Sequence, residues 1–261
     1  MPQPQFGSLF FTLTALTVRE GIRQRLAWVM LGMVLVGLCL AGFAGSLAIT
    51  EAEQVRSTLL GAFLRLSAAL LTALSVLHSQ NQEYQDKRAE WLFSLPLPRT
   101  VYLFGKLAGY AILIGIMAVL LASVLPFFAP PAQVALWAGS LFWELWIVAA
   151  FSLLVQWTIR SLPAAFLLVL LFYLLSRTLA GMQSVGHGAI LPQEGLPWLA
   201  AQAVLEVISF LLPRLDRFTQ SEWLAYGSGN WADLLFVLAQ GGSYLILLAG
   251  VSLWDLSRKR L

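Results

Sequence analysis

Six long apolar stretches, separated by short polar segments, constrain this chain more than any other feature. Each stretch is about 19 to 24 residues long, and a helix needs about 20 apolar residues to cross the roughly 30 Å hydrocarbon core of a bilayer. Hydrophobic residues make up 59% of the 261 residues, which exceeds the roughly 45–50% typical of soluble domains. The sequence therefore predicts an all-α integral membrane protein with one transmembrane domain over residues 1–261. The predicted spans are residues 27–49, 59–77, 103–125, 134–157, 163–181 and 231–254.

The N-terminal segment, residues 1–25, begins polar and then places leucine and phenylalanine at helical spacing. Three arginines follow. This pattern predicts a helix lying at the cytoplasmic surface of the membrane, because its apolar face can enter the interface while its arginines stay in water. The alternative is a basic cytoplasmic tail without a stable helix.

The segment between spans 5 and 6, residues 182–230, mixes Gly- and Pro-containing stretches with one short apolar run at residues 197–213. That run contains Glu206 and is short for a membrane span. We therefore expect a re-entrant or surface-lying hairpin there. On the outer face of the membrane, this segment could meet an extracytoplasmic partner.

The distribution of basic residues predicts the orientation. With six spans, most arginines and lysines fall on one side, and the positive-inside rule assigns that side to the cytoplasm. Both termini and the loop at residues 79–102 are then cytoplasmic, in a bacterial cytoplasmic (inner) membrane. A seventh span at residues 197–213 would move the basic C-terminus outside. The residues counted as cytoplasmic are Arg19, Arg23, Arg25, Lys87, Arg88, Arg99, Lys106, Arg160, Arg258, Lys259 and Arg260.

Three charged residues fall inside the predicted spans and more than three residues from either end of them: Arg65, Glu144 and Arg177. A charge within a bilayer is costly unless it faces protein or water. An arginine–glutamate pair across helices is geometrically reasonable. The three residues either line a polar translocation route or form a structural ion pair with snorkelling arginines, and the sequence leaves both possibilities open.

Signatures of catalysis and of metal binding are missing from the sequence. There is no GxxxxGK[ST] phosphate loop, no GxSxG elbow, and no pair of histidines at ligand spacing. We therefore expect no catalytic residue, no metal and no cofactor in this chain. The net charge of only +3 does not suggest nucleic acid as a partner, and membrane lipid is the expected surrounding.

The loop between spans 2 and 3 concentrates charge in a chain that is only 11% charged. Its sequence predicts a short amphipathic helix from about residue 86 to residue 95, which Pro96 and Pro98 end because proline removes a donor and disfavours a helix before it. Trp91 and its neighbours offer an apolar surface surrounded by charges. This composition is typical of a docking element or of a loop anchored at the membrane surface.

The stretch DKRAEWLFSLPLPRTVYLFGK, residues 86–106, resembles the loop of permease subunits of type-2 ABC exporters. Those proteins commonly carry a pattern like GT-L-[DE]-x-LLS-x-P-[LV]-x-R, then an apolar stretch and GK. In this chain Glu90 matches the acidic position, residues 92–94 match LLS, and Pro96 with Arg99 match P-x-x-R. The GK follows at residues 105–106. Lys87 and Arg88 stand where Gly and Thr are usual.

The resemblance implies that the loop contains a coupling helix that docks on a separate cytoplasmic ATPase subunit. That subunit would bind ATP and Mg²⁺, and two permease chains, identical or different, would work together. The resemblance includes the branch of type-2 ABC exporters that is associated with the maturation of multicopper enzymes. It does not identify the cargo. The docking residues that it implies are Glu83, Lys87, Arg88, Glu90, Trp91, Pro96 and Arg99.

Two alternatives remain open at the level of sequence. One is an ATP-independent membrane scaffold or assembly factor, which would also need basic cytoplasmic loops and an outer hairpin. The other is a secondary transporter, in which Glu144 with Arg65 or Arg177 would form the coupling site.

Overall fold

The computed structural model describes residues 6–24, 26–48, 51–86, 98–159, 161–186, 206 and 212–258. Within these ranges the protein has eight α-helices, two short 3-10 helices and no strand. The α-helices are α1 (Phe6–Arg23), α2 (Leu26–Leu47), α3 (Ala52–Gln85), α4 (Arg99–Ala122), α5 (Pro131–Thr158), α6 (Leu162–Gly186), α7 (Ser221–Tyr226) and α8 (Trp231–Arg258). The 3-10 helices are Leu125–Phe127 and Leu215–Arg217.

Six of these helices are long and apolar enough to cross a membrane: α2, α3, α4, α5, α6 and α8. This confirms the prediction of an all-helical, multi-pass membrane protein. We refer to the end of the bundle where α3 ends and α4 begins as the proximal end. The opposite end, where α5 begins and α6 ends, is the distal end.

Helix α3 is much longer than predicted. The sequence suggested a span over residues 59–77, but the helix has 34 residues, about 51 Å at 1.5 Å per residue. The segment that the predicted spans leave between residues 49 and 59 is helical from residue 52, and the prediction of loop structure at residues 79–85 was wrong. Polar residues there occupy faces of a continuous helix: Ser79, Gln80 and Glu83 are buried against neighbouring helices instead of marking a break.

Helix α5 lies at the centre of the bundle, where it contacts α3, α4, α6 and α8. It is the most buried of the six long helices. Trp137, Leu141, Leu145 and Leu153 on this helix are fully buried. Phe151 stacks on Phe172 of α6 with ring centroids 3.9 Å apart, as expected for the antiparallel neighbours that a short connection between these helices predicts.

A row of small residues on α2, Gly37, Ala41 and Gly45, packs against α3. A side chain added at Gly37 would come within 2.9 Å of Phe63 Cδ1, and one added at Gly45 would come within 2.0 Å of Arg56 Nε. Ala41, between them on the same face, is 2% exposed. Small residues therefore let the backbones of α2 and α3 approach closely.

The predicted N-terminal helix is present as α1, and it packs lengthwise beside α4. Successive contacts advance by four residues along both helices in the same direction, so the two helices run parallel. Thr14 Oγ1 also donates to the Gly105 carbonyl at 3.3 Å. The position of α1 relative to a membrane surface stays a prediction. The packed pairs are Leu13 with Gly105, Thr17 with Gly109 and Leu113 with Gly21.

Residues 212–230 form a folded insertion at the distal end. The 3-10 helix Leu215–Arg217 contacts α6, and α7 contacts α3 and α5. Leu224 fills the space beside Gly61 of α3, and Phe218 is fully buried. Most of the predicted hairpin at residues 197–213 lies outside the described residues.

Candidate functional site

The three ionisable residues that the sequence places within the spans contribute to one buried polar cluster in the distal half of the bundle. Three helices and the folded insertion supply its members. We call it the distal cluster, and its residues are Arg65 of α3, Ser140 and Glu144 of α5, Tyr173 and Arg177 of α6, and Thr219 of the insertion.

Glu144 lies near the middle of α5 and has no exposed surface. Its Oε1 accepts a hydrogen bond from the Tyr173 hydroxyl at 2.9 Å. Its Oε2 accepts one from Thr219 Oγ1 at 2.5 Å and lies 3.6 Å from Arg177 Nη1. A buried carboxylate is costly unless it is paired and hydrogen-bonded, and both oxygens of Glu144 meet that condition.

The two arginines use backbone carbonyls as their main acceptors. Arg65 Nη1 donates to the Thr219 carbonyl at 2.7 Å. Arg177 donates to the carbonyl of Phe218 at 2.7 Å and to that of Thr219 at 3.2 Å, and also to that of Leu215. Because one carboxylate faces two guanidinium groups, these carbonyl dipoles stabilise the positive charge that the carboxylate does not offset.

Thr219 connects the insertion to all three helices. Its φ of 47° lies in the left-handed region, which costs a non-glycine residue of order 1–3 kcal/mol. Its backbone N–H donates to Ser140 Oγ at 2.8 Å, its hydroxyl donates to Glu144, and its carbonyl accepts from both arginines. Every polar group of this residue is therefore used, which accounts for its strained backbone.

The distal cluster is closed in this conformation. Ser140, Glu144 and Thr219 have no exposed surface. The Glu144 carboxylate is therefore out of contact with solvent in this conformation. The hydrogen bonds hold the insertion against α3, α5 and α6, and a role of the three charged residues in a translocation route stays a prediction.

A second buried polar group lies at the proximal end, next to the loop that carries the sequence resemblance. Glu83, in the last turn of α3, pairs with Lys106 of α4. It also accepts a hydrogen bond from the Tyr102 hydroxyl at 3.0 Å. Glu83 is 7% and Lys106 is 3% exposed. The Glu83 carboxylate thus points into the bundle, although we expected it on the surface of a docking loop.

Neighbouring contacts tie this proximal pair to the rest of the bundle. Trp157 Nε1 of α5 donates to Gln80 Oε1 of α3 at 3.1 Å. Ser79 of α3 donates to Glu20 Oε2 of α1 at 3.3 Å. Arg99, the first residue of α4, donates to the Leu256 carbonyl of α8. The helix ends on either side of residues 87–97 are therefore anchored to each other and to three other helices, α1, α5 and α8.

The remaining predicted docking residues, Lys87, Arg88, Glu90, Trp91 and Pro96, lie outside the described residues. So does the short helix predicted in that loop, except for Asp86, which directly follows the last turn of α3. Their role stays a prediction.

Sequence reasoning missed three members of the distal cluster, and two of them had a usable signal. Ser140 precedes Glu144 by four residues, and Tyr173 precedes Arg177 by four. Residues four apart lie on one face of a helix, so each charged residue indicated a polar neighbour. Thr219 had no such signal, because its role depends on the path of an irregular segment.

The chain matches no protein-family model, and no curated protein is similar to it in sequence.

Proposed function

We propose that this protein is the transmembrane permease subunit of a type-2 ABC exporter in a bacterial cytoplasmic membrane. It couples ATP hydrolysis by a separate cytoplasmic ATPase subunit to the movement of a substrate across the membrane. ATP and Mg²⁺ are bound by that partner, and a second permease chain completes the route. Six span-capable helices and the sequence of residues 86–106 support this proposal.

The observation that carries the proposal is the buried contact of Glu83 with Lys106 and Tyr102 at the base of the predicted coupling loop. It joins the last turn of α3 to the first turns of α4. Breaking a buried ion pair is costly, so a force on residues 87–97 is transmitted to both helices together. Gly105 and Lys106, which match the GK of the family pattern, each have a physical role in this proposal. Gly105 leaves room for α1 to pack closely, and Lys106 forms the ion pair with Glu83.

Transmission toward the distal end follows from the length of α3. This helix carries Glu83 at one end and Arg65 eighteen residues earlier, about 27 Å away along the helix. A shift of α3 therefore changes the distance between Arg65 and the Thr219 carbonyl. Nucleotide binding can favour one conformation of the permease only through contacts that differ between its conformations. We expect the contacts of residues 212–226 with α3, α5 and α6 to be the ones that differ.

A secondary transporter is the second candidate, because a buried carboxylate within the spans is typical of ion-coupled carriers. Glu144 would then release its contacts to Arg177 and Thr219 when it binds the coupling ion. Substrate uptake in vesicles that contain no nucleotide would favour this candidate. Transport that strictly requires ATP would reject it.

The docking proposal is tested by purifying the tagged chain from its native membranes in mild detergent and identifying the bound proteins by mass spectrometry. We expect an ABC-type ATPase and vanadate-sensitive ATP hydrolysis in the purified material. Glu90→Lys should lower ATPase recovery by at least tenfold. Glu53→Lys is the matched control, because Glu53 is exposed at the opposite end of α3. Equal ATPase recovery with both variants would contradict the proposal.

A further inference from the structure

An apolar groove lies on the outer surface of the bundle between α4 and α8, and we call it the α4–α8 groove. It has a volume of about 590 Å³ and is lined by Leu107 of α4, Trp146 of α5 and Ala249 of α8, among others. Every residue that lines it is apolar, and the indole N–H of Trp146 donates to the Leu107 carbonyl at 3.3 Å. No side chain of the lining therefore needs a hydrogen bond from an occupant.

Small residues create the space in this groove. Ala108, Ala249 and Gly250 line it between the large side chains of Phe104 and Leu253. A Cβ added at Gly250 would meet no atom within 4 Å, so a larger residue at this position would extend into open space. The groove thus has room for an occupant that no described residue supplies.

The exposed tryptophans of α8 indicate where the groove lies in the membrane. Trp231 is 66% and Trp254 is 57% exposed, and the two are 23 residues apart, about 35 Å along the helix. Tryptophan is enriched at both membrane interfaces, and the hydrocarbon core between them is roughly 30 Å thick. The Arg258 guanidinium lies over the Trp254 ring, 4.0 Å from its centroid. The groove begins at the residue before Trp254, just inside the proximal interface.

The groove extends through one leaflet only. Its lining on α8 runs from Leu253 to Leu245, which is about 12 Å along the helix. One turn nearer the distal end, α8 packs directly on α5, since a Cβ added at Gly241 would lie 2.9 Å from Trp143 Cε3. Half of the hydrocarbon core is about 15 Å deep, whereas a spanning helix of a second copy is about 30 Å long. The length of the groove therefore suits a chain of one leaflet better than a helix.

The surface beside the groove is exposed and apolar. Ile246, which lines the groove, is 76% exposed, and Phe104 and Leu247 are also exposed. In a bilayer, side chains of this kind contact lipid tails, which are as apolar as leucine. An occupant that enters the groove from the side therefore comes from the hydrocarbon of the membrane.

From these observations we infer that the α4–α8 groove binds one acyl chain of a phospholipid from the leaflet at the proximal end. The chain lies on Leu107 and Ala249 and passes between Phe104 and Leu253, with its headgroup at the level of Trp254. Van der Waals contacts on three sides hold it, so it exchanges more slowly than lipid on the open surface. This inference depends on the span-capable helices and not on the function proposed above.

The position of the chain can be tested in the unaltered full-length protein. The protein is reconstituted in vesicles of phosphatidylethanolamine and phosphatidylglycerol, with a trace of phosphatidylethanolamine that carries a diazirine midway along one acyl chain. After irradiation, peptide mass spectrometry locates the adducts. We expect Leu107 and Ala249 to be labelled at least tenfold more often than Leu247, which is exposed at the same depth of α8 but outside the lining. Equal labelling would overturn the inference.

Two glycine substitutions on α8 test whether the groove retains the lipid. Gly250→Leu fills the groove, and Gly242→Leu is its matched control. A Cβ at either position would meet no atom within 4 Å, but only Gly250 lines the groove. Native mass spectrometry in mild detergent should detect one retained phospholipid per chain in the unaltered protein and in Gly242→Leu. Retention in Gly250→Leu should be at least tenfold lower.

Equal lipid retention in the two glycine variants would contradict the inference. So would conversion of a dimer into a monomer by Gly250→Leu without loss of lipid, because the groove would then hold a second copy of the chain. If Gly250→Leu fails to fold, the labelling of the unaltered protein still decides the question.

Discussion

Thr219 donates its hydroxyl hydrogen to Glu144 Oε2 across 2.5 Å, and this bond joins the folded insertion to the most central helix of the bundle. The two residues are 75 positions apart in the chain. Residues 212–226 are therefore held in a defined position between α3, α5 and α6. Polar contacts that converge on Thr219 and buried apolar side chains such as Phe218 and Leu224 together hold them there.

Removing the Glu144 carboxylate should destabilise the protein strongly. In Glu144→Ala, the hydroxyls of Tyr173 and Thr219 lose their acceptor and Arg177 loses its ion pair in a buried site. Loss of one member of a buried pair typically costs about 3–5 kcal/mol. Reversible unfolding in detergent would measure this cost. Glu222→Ala, on the exposed face of α7, should change little, and equal stability of the two variants would exclude a role for the cluster in holding the fold.

Thr219 can be probed with two small changes. Thr219→Ser keeps the hydroxyl that bonds Glu144, so we expect stability close to that of the unaltered protein. Thr219→Val keeps the shape but leaves a carboxylate oxygen without its donor, and a lost buried hydrogen bond costs about 1–3 kcal/mol. The same unfolding measurement distinguishes them. A Val variant as stable as the Ser variant would show that the hydroxyl contributes nothing.

The six span-capable helices were predictable from the sequence because each needs only length and apolar composition. The convergence of Arg65, Glu144 and Arg177 was partly predictable, since charges in spans require partners. The extent of α3 was not, because Ser79, Gln80 and Glu83 resemble a loop in sequence and find their partners only on α1, α4 and α5. The same limit applies to Thr219, whose hydrogen-bond partners lie on α3, α5 and α6, at least 42 residues away in the chain.

The close packing of α1 on α4 predicts a position-specific effect of glycine substitution. An added Cβ at Gly109 would lie 2.6 Å from Thr17 Cβ, so Gly109→Ala should push α1 away. Overpacking of this kind typically costs about 1–3 kcal/mol. Gly115→Ala is the control on the same helix, because its Cβ would meet Phe142 at an ordinary 3.8 Å.

Limited trypsin digestion provides the measurement for this pair of variants. Arg19 and Arg23 lie on α1, so a displaced α1 should be cleaved several-fold faster in Gly109→Ala. Cleavage in Gly115→Ala should match that of the unaltered protein. Equal cleavage rates in both variants would mean that α1 does not depend on this contact.

The proposed orientation predicts that the two ends of the bundle lie on opposite sides of the membrane. Cys39 is the sole cysteine, so Cys39→Ala gives a background for single-cysteine labelling. Gln85→Cys marks the proximal end and Ser228→Cys marks the distal end, and both positions are exposed. A membrane-impermeant maleimide should label position 228 in intact cells and position 85 only after permeabilisation. The reverse pattern would invert the topology, and labelling of both positions in intact cells would contradict the six-span arrangement.

The pair of Glu83 and Lys106 allows the structural and coupling roles of the proximal contact to be separated. Either Glu83→Leu or Lys106→Met alone leaves a buried charge without its partner, which typically costs about 3–5 kcal/mol. Both changes together replace the pair by apolar side chains of similar size, and such replacements are often nearly neutral. In the double-mutant cycle, we expect the combined loss of stability to be far below the sum of the single losses.

If the pair transmits movement of the coupling loop, the double variant should fold and still bind the ATPase but lose the stimulation of ATP hydrolysis by substrate. Additive single losses would show that the two side chains do not interact, and a stable double variant with normal stimulation would remove the proximal contact from the coupling mechanism.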